Sequence, residues 1–523
     1  MAESGGFEPP VELLVLQRFS KPPPSATRPT LHTLPRNSVG APGDHDYIPP
    51  SAHALALQVN SPLQHNRSEK VILRKANSKL RLLPLIGATY FMVAGGPYGL
   101  EDIIGDAGYG RALLLLLMIP LVWSLPTALM VGELASALPK EGGYYVWVRR
   151  ALGPFWGFQE AWLSLAASVF DMAIYPVIFV LYLSRIAPAL TAGSRGTLWA
   201  LAVVLLCTAW NLRGAKSVGQ GAVGMFVALL APFAVLIAAG FWQGLAGHAH
   251  VLTMLRAPVA APSLAGAVSV ALWNYMGWDN ASTVAQEVES PQRNYPRAML
   301  ISAALVALTY ILPLAAVAVA GIPAGQFSTG AWTDAARSIG GPTFGASLAL
   351  AVVLGGMLNG AGMFNALMLS YARVPYALAK DGLLPRFLTR TTSTQVPWAS
   401  VLACAFAWAL ALRLSFERLI SIDLVLYGAS LLLEFVALVA LRVREPALPR
   451  PFRIPGGLAA AIAAGVGPTF LIAFALYAAR DERVGPLHAL TFAAIAAAAG
   501  PLVWLVVRLN LPPGSADNSS SNP

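Results

Sequence analysis

Ala94-Gly95-Gly96-Pro97-Tyr98-Gly99-Leu100-Glu101-Asp102 lies inside an otherwise apolar run from about Leu82 to Ile104. A run of that length spans a bilayer as a helix, but three glycines and a proline at its middle break helical hydrogen bonding. The predicted helix is therefore interrupted at mid-membrane. Backbone that leaves a helix within hydrocarbon must line a protected or watery cavity, because each free N–H or C=O otherwise costs several kcal/mol. A broken helix with carboxylates just beyond the break is a candidate ion or substrate site. A kink that only helps helices pack is the structural alternative.

Composition sets the class. The 523-residue chain is 56% hydrophobic and only 11% charged, with a mean hydropathy of +0.61. Apolar runs of spanning length recur from about Leu82 to Leu509, so an all-α polytopic membrane protein is expected and a soluble enzyme is excluded. Cys207 and Cys404 fall inside apolar runs, where free cysteine acts as a small buried hydrophobe; neither a disulfide framework nor a metal site is implied. The formal charge of +10 is scattered over short loops between spans. That distribution fixes membrane orientation and does not suggest nucleic-acid binding.

Residues 1–79 are rich in Pro, Ser, Asn and His without apolar periodicity, and are expected to form a disordered cytoplasmic tail. Val11-Glu12-Leu13-Leu14-Val15-Leu16 is too short for a signal-peptide core and carries a carboxylate. Lys70, Arg74, Lys75, Lys79 and Arg81 precede the first span and place the N-terminus inside. Spans follow at about 82–104, 110–137, 155–184, 197–213, 218–243, 263–287, 297–320, 343–371, 397–414, 418–441, 457–479 and 486–509. Twelve spans return the C-terminus to the cytoplasm, so the chain divides into the tail, a transporter domain at 80–509 and a short disordered tail at 510–523. Most loop Arg and Lys residues fall on the inside; Arg195, Arg256, Arg413 and Arg418 do not. The sixth span repeats the peculiarity of the first, with Asn274, Gly277, Asp279 and Asn280 near its midpoint. Interrupted helices five spans apart point to a 5+5 inverted repeat plus two C-terminal helices, with a site where the breaks face each other.

Four further stretches carry a family resemblance: Glu133-Leu134-Ala135 with Pro139-Lys140-Glu141-Gly142-Gly143-Tyr144; Glu287-Val288-Glu289-Ser290-Pro291-Gln292-Arg293; Arg373-Val374-Pro375-Tyr376-Ala377-Leu378-Ala379-Lys380-Asp381-Gly382; and Glu445-Pro446 with Arg450-Pro451-Phe452. In this order on twelve spans they resemble the amino acid–polyamine–organocation permeases. The break itself, Ala151-Leu152-Gly153-Pro154-Phe155-Trp156-Gly157, Asp171 with Tyr175-Pro176, and Trp278-Asp279 are most similar to the branch holding plant polyamine uptake permeases and L-type amino acid permeases. The resemblance implies a LeuT-type inverted-repeat fold, proton-coupled uptake, and polyamines or amino acids as cargo. The sixth-span break, Tyr275-Met276-Gly277-Trp278, is less bulky than in the plant sequences.

Candidate substrate-binding residues cluster at the breaks: Gly95, Gly96, Tyr98, Gly99 and Glu101 in the first span, and Tyr275, Trp278 and Asp279 in the sixth. Glu101 and Asp102 begin the outer half-helix, where a helix N-terminus also stabilises carboxylates without any role in binding. Asp279 is equally suited to N-cap the inner half-helix. Tyr98 and Trp278 adjoin the unwound backbone, where a cation–π contact supplies about 0.5–2 kcal/mol. Asp171 lies mid-span on a polar stripe with Ser164, Ser168, Tyr175 and Tyr182. An ionisable group at that depth costs about 2.5–3.5 kcal/mol and marks transport or proton pathways, so Asp171, with Asp102, is the candidate for proton coupling. Asn359 and Asn365 interrupt a small-residue helix, and Glu133, Glu287, Arg373 and Asp381 lie near cytoplasmic ends, where they are candidates for gating ion pairs.

The sequence thus reads as a secondary active transporter in the plasma membrane, importing polyamines such as putrescine or spermidine, or related organic cations, with protons as the coupling ion. No cofactor, metal or phosphate-binding glycine loop is implied. Pro97 removes one backbone donor from the break, and Glu101 and Asp102 follow within a turn. At an effective dielectric of about 20 a unit charge pair at about 4 Å interacts by about 4 kcal/mol, against about 1.5–3 kcal/mol for one charged hydrogen bond. That balance favours amines over a carboxylate-bearing cargo. An amino acid permease, a channel and a non-transporting nutrient receptor remain the competing readings.

Overall fold

The computed structural model describes residues 79–247, 251–259, 263–412, 416–478, 480, 483–484 and 486–510. The two expected tails lie almost wholly outside them. Helix α1 (Leu82–Val93) stops where Ala94 turns extended. Gly96 and Gly99 then adopt φ of 72° and 88°, a region that a side chain disfavours, and α2 (Glu101–Ile119) begins at the expected residue. Gly108, at φ 75°, separates the first two turns of α2 from the rest. Downstream, Pro126 offers no N–H to the preceding turn, and the helix widens over Pro120–Ser124, with the Leu125 amide reaching the Pro120 carbonyl. Helix α3 (Leu125–Ala137) continues from there.

The remaining helices are α4 (Tyr144–Leu152), α5 (Pro154–Ser184), α6 (Ser194–Asn211), α7 (Ala215–Ala246), α8 (Leu264–Asn274), α9 (Pro291–Val319), α10 (Trp332–Tyr371), α11 (Arg373–Lys380), α12 (Trp398–Leu410), α13 (Phe416–Arg444), α14 (Gly457–Ala478) and α15 (Ala489–Asn510). Short helical turns at Pro188–Thr191 and Val251–Arg256 connect some of them, and a two-residue hairpin pairs Arg483–Val484 with Leu487–His488. Among the described residues, eight helices are long and apolar enough to cross a membrane; α1 and α12 are shorter apolar helices.

Two elements differ from expectation. The eighth span begins earlier, at Trp332, and bends at Gly341 (φ 58°) before Pro342. After α8 and the break at Tyr275–Trp278, the second half of the sixth span, Asp279–Glu287, winds as a tighter 3-10 helix. There the Thr283 hydroxyl donates to the Asn280 carbonyl (3.0 Å) and the Tyr295 hydroxyl to the Ala281 carbonyl (2.6 Å). Side chains thus take acceptors that an α-helix would use for its own amides.

Polarity is arranged inside out. Leu206, Phe406 and Val466 are 71%, 70% and 62% exposed, a surface that suits hydrocarbon. Glu101, Glu133, Glu160, Asp171, Asp279, Asp423, Glu434, Arg373 and Arg442 are buried. Helix α5 packs against α10 and α13, and α10 also against α7. Glycines on α10 permit this: a Cβ at Gly356 would overlap the Tyr182 ring of α5, and one at Gly360 the Tyr175 carbonyl.

The two breaks meet. Gly277, at φ 91°, lies so close to the Met92 carbonyl at the end of α1 that a Cβ there would fall inside van der Waals contact. The chain just before α1 is also clipped to the end of the sixth span, the Leu80 amide donating to the Glu287 carbonyl (2.7 Å) and the Glu289 amide to the Leu80 carbonyl (2.8 Å). Gly277→Ala combines a disfavoured φ with a backbone overlap and is expected to destabilise by about 1–3 kcal/mol or more, read as a lower melting temperature and reduced monodisperse yield in detergent. Gly224→Ala, on an open face of α7 with no atom near the added methyl, is expected to change neither.

Candidate functional site

Where the breaks face each other, a small cavity opens between α5, α10, α13 and the sixth span. Its polar lining is Asp171 and Tyr175 from α5, Asn280 from the 3-10 segment, Tyr371 from α10, and Asp423 and Tyr427 from α13; Met92, Val93 and Trp273 add apolar wall. The space open to water is about 10 Å³, room for about one molecule.

Asp171 accepts from the Tyr175 hydroxyl on its own helix and from the Tyr371 hydroxyl (3.4 Å). Tyr175 stacks on Trp273 with ring centroids 6.3 Å apart and planes 24° from parallel. Asp423 is buried, and neither of its carboxylate oxygens has a hydrogen-bond partner. Tyr427 accepts from the Gly277 amide (3.0 Å) and donates to Asp279. Among the described residues no Lys or Arg lines the cavity. Two carboxylates, three phenols and an indole in a closed space favour a cation with several donors.

The sequence-predicted residues are divided by this geometry. Asp171 lines the cavity, and Asp279 is joined to it through Tyr427. Asp279 is not an N-cap; Trp278 occupies the cap position and makes no side-chain cap bond. Gly95 abuts Asn359 and Gly96 abuts Leu229, so both shape the break and neither lines the cavity. Tyr98 donates to the Val352 carbonyl (2.6 Å), and Tyr275 donates to the Leu116 carbonyl (2.9 Å); these two and buried Trp278 pack outside the cavity. Asp102 accepts from Thr329 (2.8 Å) in the connection before α10.

Glu101 is placed apart from the cavity as well. It accepts from the Gly99 amide (2.6 Å), the Gly330 amide (3.1 Å) and the Tyr182 hydroxyl of α5. Trp332 donates to the Pro97 carbonyl beside it (2.7 Å). The carboxylate thus occupies the anion niche at its own helix N-terminus and ties the half-helix to its neighbours.

The charged residues expected near the opposite end are paired. Arg373 meets Glu287 through Nε and Nη2 (2.9 and 2.7 Å), Arg149 meets Asp381, and Arg442 grips buried Glu133 with two nitrogens. Glu133 also accepts from the Ile454 amide (2.8 Å). Beyond the spans, Arg150 binds Glu445 (2.7 Å) and this hydrogen bond lowers the carboxyl's pKa. Among the described residues no His, Cys, Asp and Glu cluster is arranged to hold a metal ion.

Sequence reasoning missed Asp423, together with Glu160 and Glu434. The signal was present, since all three are carboxylates inside apolar spans, the criterion that singled out Asp171.

Residues 87–499 match the family model described as "Amino acid permease". The chain belongs to the amino acid permease family. Curated relatives agree with this permease. A protein named as a probable polyamine transporter of Arabidopsis thaliana is 36% identical over 414 residues, covering 76% of this chain and 79% of that protein. A polyamine transporter of Oryza sativa subsp. japonica is 34% identical, covering 76% and 73%. A serine/threonine exchanger of Bacillus subtilis is 26% identical, covering 71% and 83%. The permease is therefore a multi-pass membrane transporter and not an enzyme, as its composition indicated.

Glu101→Gln replaces one accepting oxygen by a donor facing the Tyr182 hydroxyl or a backbone amide. It is expected to cost about 1.5–3 kcal/mol, read as a lower melting temperature of the purified protein.

Proposed function

We propose that this permease imports polyamines or related organic cations across the plasma membrane by proton-coupled alternating access. The observation that carries the reading is the cavity at the crossed breaks, with Asp171 and Asp423 in its wall and, among the described residues, no basic side chain to meet a cargo carboxylate. The named activities of the plant relatives point the same way. Two of the backbone donors at the breaks are engaged, the Gly99 amide by Glu101 and the Gly277 amide by Tyr427. Asp171 and Asp423 hold the ammonium groups, Tyr175, Trp273, Tyr371 and Tyr427 face the methylene chain, and the breaks hinge the half-helices. Asp279 adjusts the cavity through Tyr427.

The architecture proposed is twelve spans in a 5+5 inverted repeat with both termini cytoplasmic. Counting α1 with the first two turns of α2 as one span, and α8 with Asp279–Glu287 as another, supports twelve. On this orientation the Leu80–Val288 clip and the Arg373–Glu287 pair close the inner end, and the contacts of Glu101, Asp102 and Trp332 close the outer end. Exchange of these two closures is alternating access.

The test is uptake of labelled putrescine into proteoliposomes under an inward proton gradient, with spermidine, arginine and leucine as competitors. Saturable accumulation against the putrescine gradient is expected, without sodium, with spermidine the best competitor. Asp171→Asn and Asp423→Asn are each expected to reduce it at least tenfold while leaving the protein monodisperse. Preferred uptake of leucine with no competition by polyamines would overturn the cargo and leave the amino acid reading; strict dependence on sodium would overturn the coupling ion. Binding without accumulation would make the protein a receptor.

A further inference from the structure

Helices α5 and α13 carry buried carboxylates in two tiers. Asp171 and Asp423 form the tier at the cargo cavity. Eleven residues away on each helix, about 16 Å at about 1.5 Å per residue, stand Glu160 and Glu434, both fully buried. The antiparallel register of the helices brings the second pair together: the Ser430 hydroxyl of α13 donates to Glu160 (2.9 Å), and Ser164 lies 3.2 Å from Ser430. Glu434 has no hydrogen-bond partner on either oxygen, and one oxygen of Glu160 has none. Tyr144, at the start of α4, is fully buried, and α4 packs against both α5 and α13.

The cations nearest this tier are committed elsewhere. Arg442, two turns further along α13, is bound by Glu133 of α3 and by the Gly457 and Ile454 carbonyls, and Arg450 also approaches Glu133 (3.4 Å). Two buried carboxylates without a cation are costly unless something neutralises them. The Ser164–Ser430 contact and complete burial leave no room for an aminoalkyl arm between them; a proton needs none.

The tier is also continuous with the cargo cavity. Tyr427, in the cavity wall, donates to Asp279, and Tyr427, Ser430 and Glu434 follow at three- and four-residue spacing along one face of α13, with Ser430 donating to Glu160. We propose that Glu160 and Glu434 form a proton-binding station that passes the coupling proton between Asp279 and the end of the bundle where Glu133 and Arg442 lie. The proton's route is thereby separate from the cargo's, which runs past the Leu80–Val288 clip. Each hop breaks one O–H bond and forms another, and the proton gradient supplies all that the step consumes. This inference rests on the proton-coupled reading above.

The test uses the full chain in proteoliposomes enclosing a pH-sensitive dye. Putrescine counterflow without a gradient reports the cargo cycle, and internal acidification during putrescine entry reports the proton. Wild type is expected to do both. Glu160→Gln and Glu434→Gln are expected to keep counterflow within about twofold of wild type, to lose acidification, and to lose gradient-driven accumulation at least tenfold with a flattened dependence on external pH. Variants that still acidify with normal accumulation would overturn the station, as would variants that lose counterflow and accumulation in equal measure. Wild type that accumulates putrescine without acidification would refute proton coupling itself, and this inference with it.

Discussion

The contact on which the rest of the molecule depends is between two pieces of backbone, the Met92 carbonyl at the end of α1 and Gly277 in the sixth span. Backbone that has left its helix cannot face lipid, so each break must be covered by something polar or by another chain segment. Here each helps to cover the other. That mutual cover requires glycine at the point of closest approach and positive φ at Gly96, Gly99 and Gly277. It also requires small residues on α10, which brings Asn359 against Gly95. The cavity is a consequence of this crossing, because the freed backbone holds neighbouring helices apart just where α5 and α13 present their carboxylates.

The first break was legible because glycine and proline in an apolar run have no other explanation of equal force. The starting residue of the outer half-helix, Glu101, could be read directly. The second break was legible from Gly277, Asp279 and Asn280, but its 3-10 winding was not, since that arises from Thr283 and Tyr295 taking backbone acceptors, the latter from another helix. Among the side chains, Asp171 was found by depth within a span. The same criterion applied to α13 marks Asp423 and Glu434. Tyr98, Glu101 and Trp278 were nominated by adjacency to a break, and adjacency in sequence does not fix which side of a helix faces the cavity. Only packing does, and α10 packs against Tyr98 from the side away from the cavity, with the Tyr98 hydroxyl bonded to the Val352 carbonyl.

Glu101 illustrates how one carboxylate changes what a helix terminus can do. In a broken-helix permease the amides at a half-helix N-terminus are free to receive an anionic group of the cargo. In this chain the Gly99 amide is already answered by a carboxylate two residues away, which is itself held by Tyr182 and the Gly330 amide. The negative charge therefore acts by occupation, filling the niche, and not by facing the cargo as an attractive wall. The proposed attraction is left to Asp171 and Asp423, which line the cavity from different helices. On the proposed reading a cargo with two separated amines satisfies both, whereas a zwitterion satisfies one.

The distribution of charge along α5 and α13 then sets what the permease needs from its driving ion. Buried Arg442 on α13 is paired with Glu133, whereas among the described residues the carboxylates of the cavity and of the second tier form no ion pair with a basic side chain. Such an imbalance inside a membrane is tolerable only if mobile cations make it up. On the proposed reading the cargo's ammonium groups supply that charge at the upper tier. On the same reading the coupling proton, carried inward with the cargo, supplies it at Glu160 and Glu434 with no change of volume. Coupling on that reading answers an electrostatic need, since each tier of carboxylates calls for its own cation.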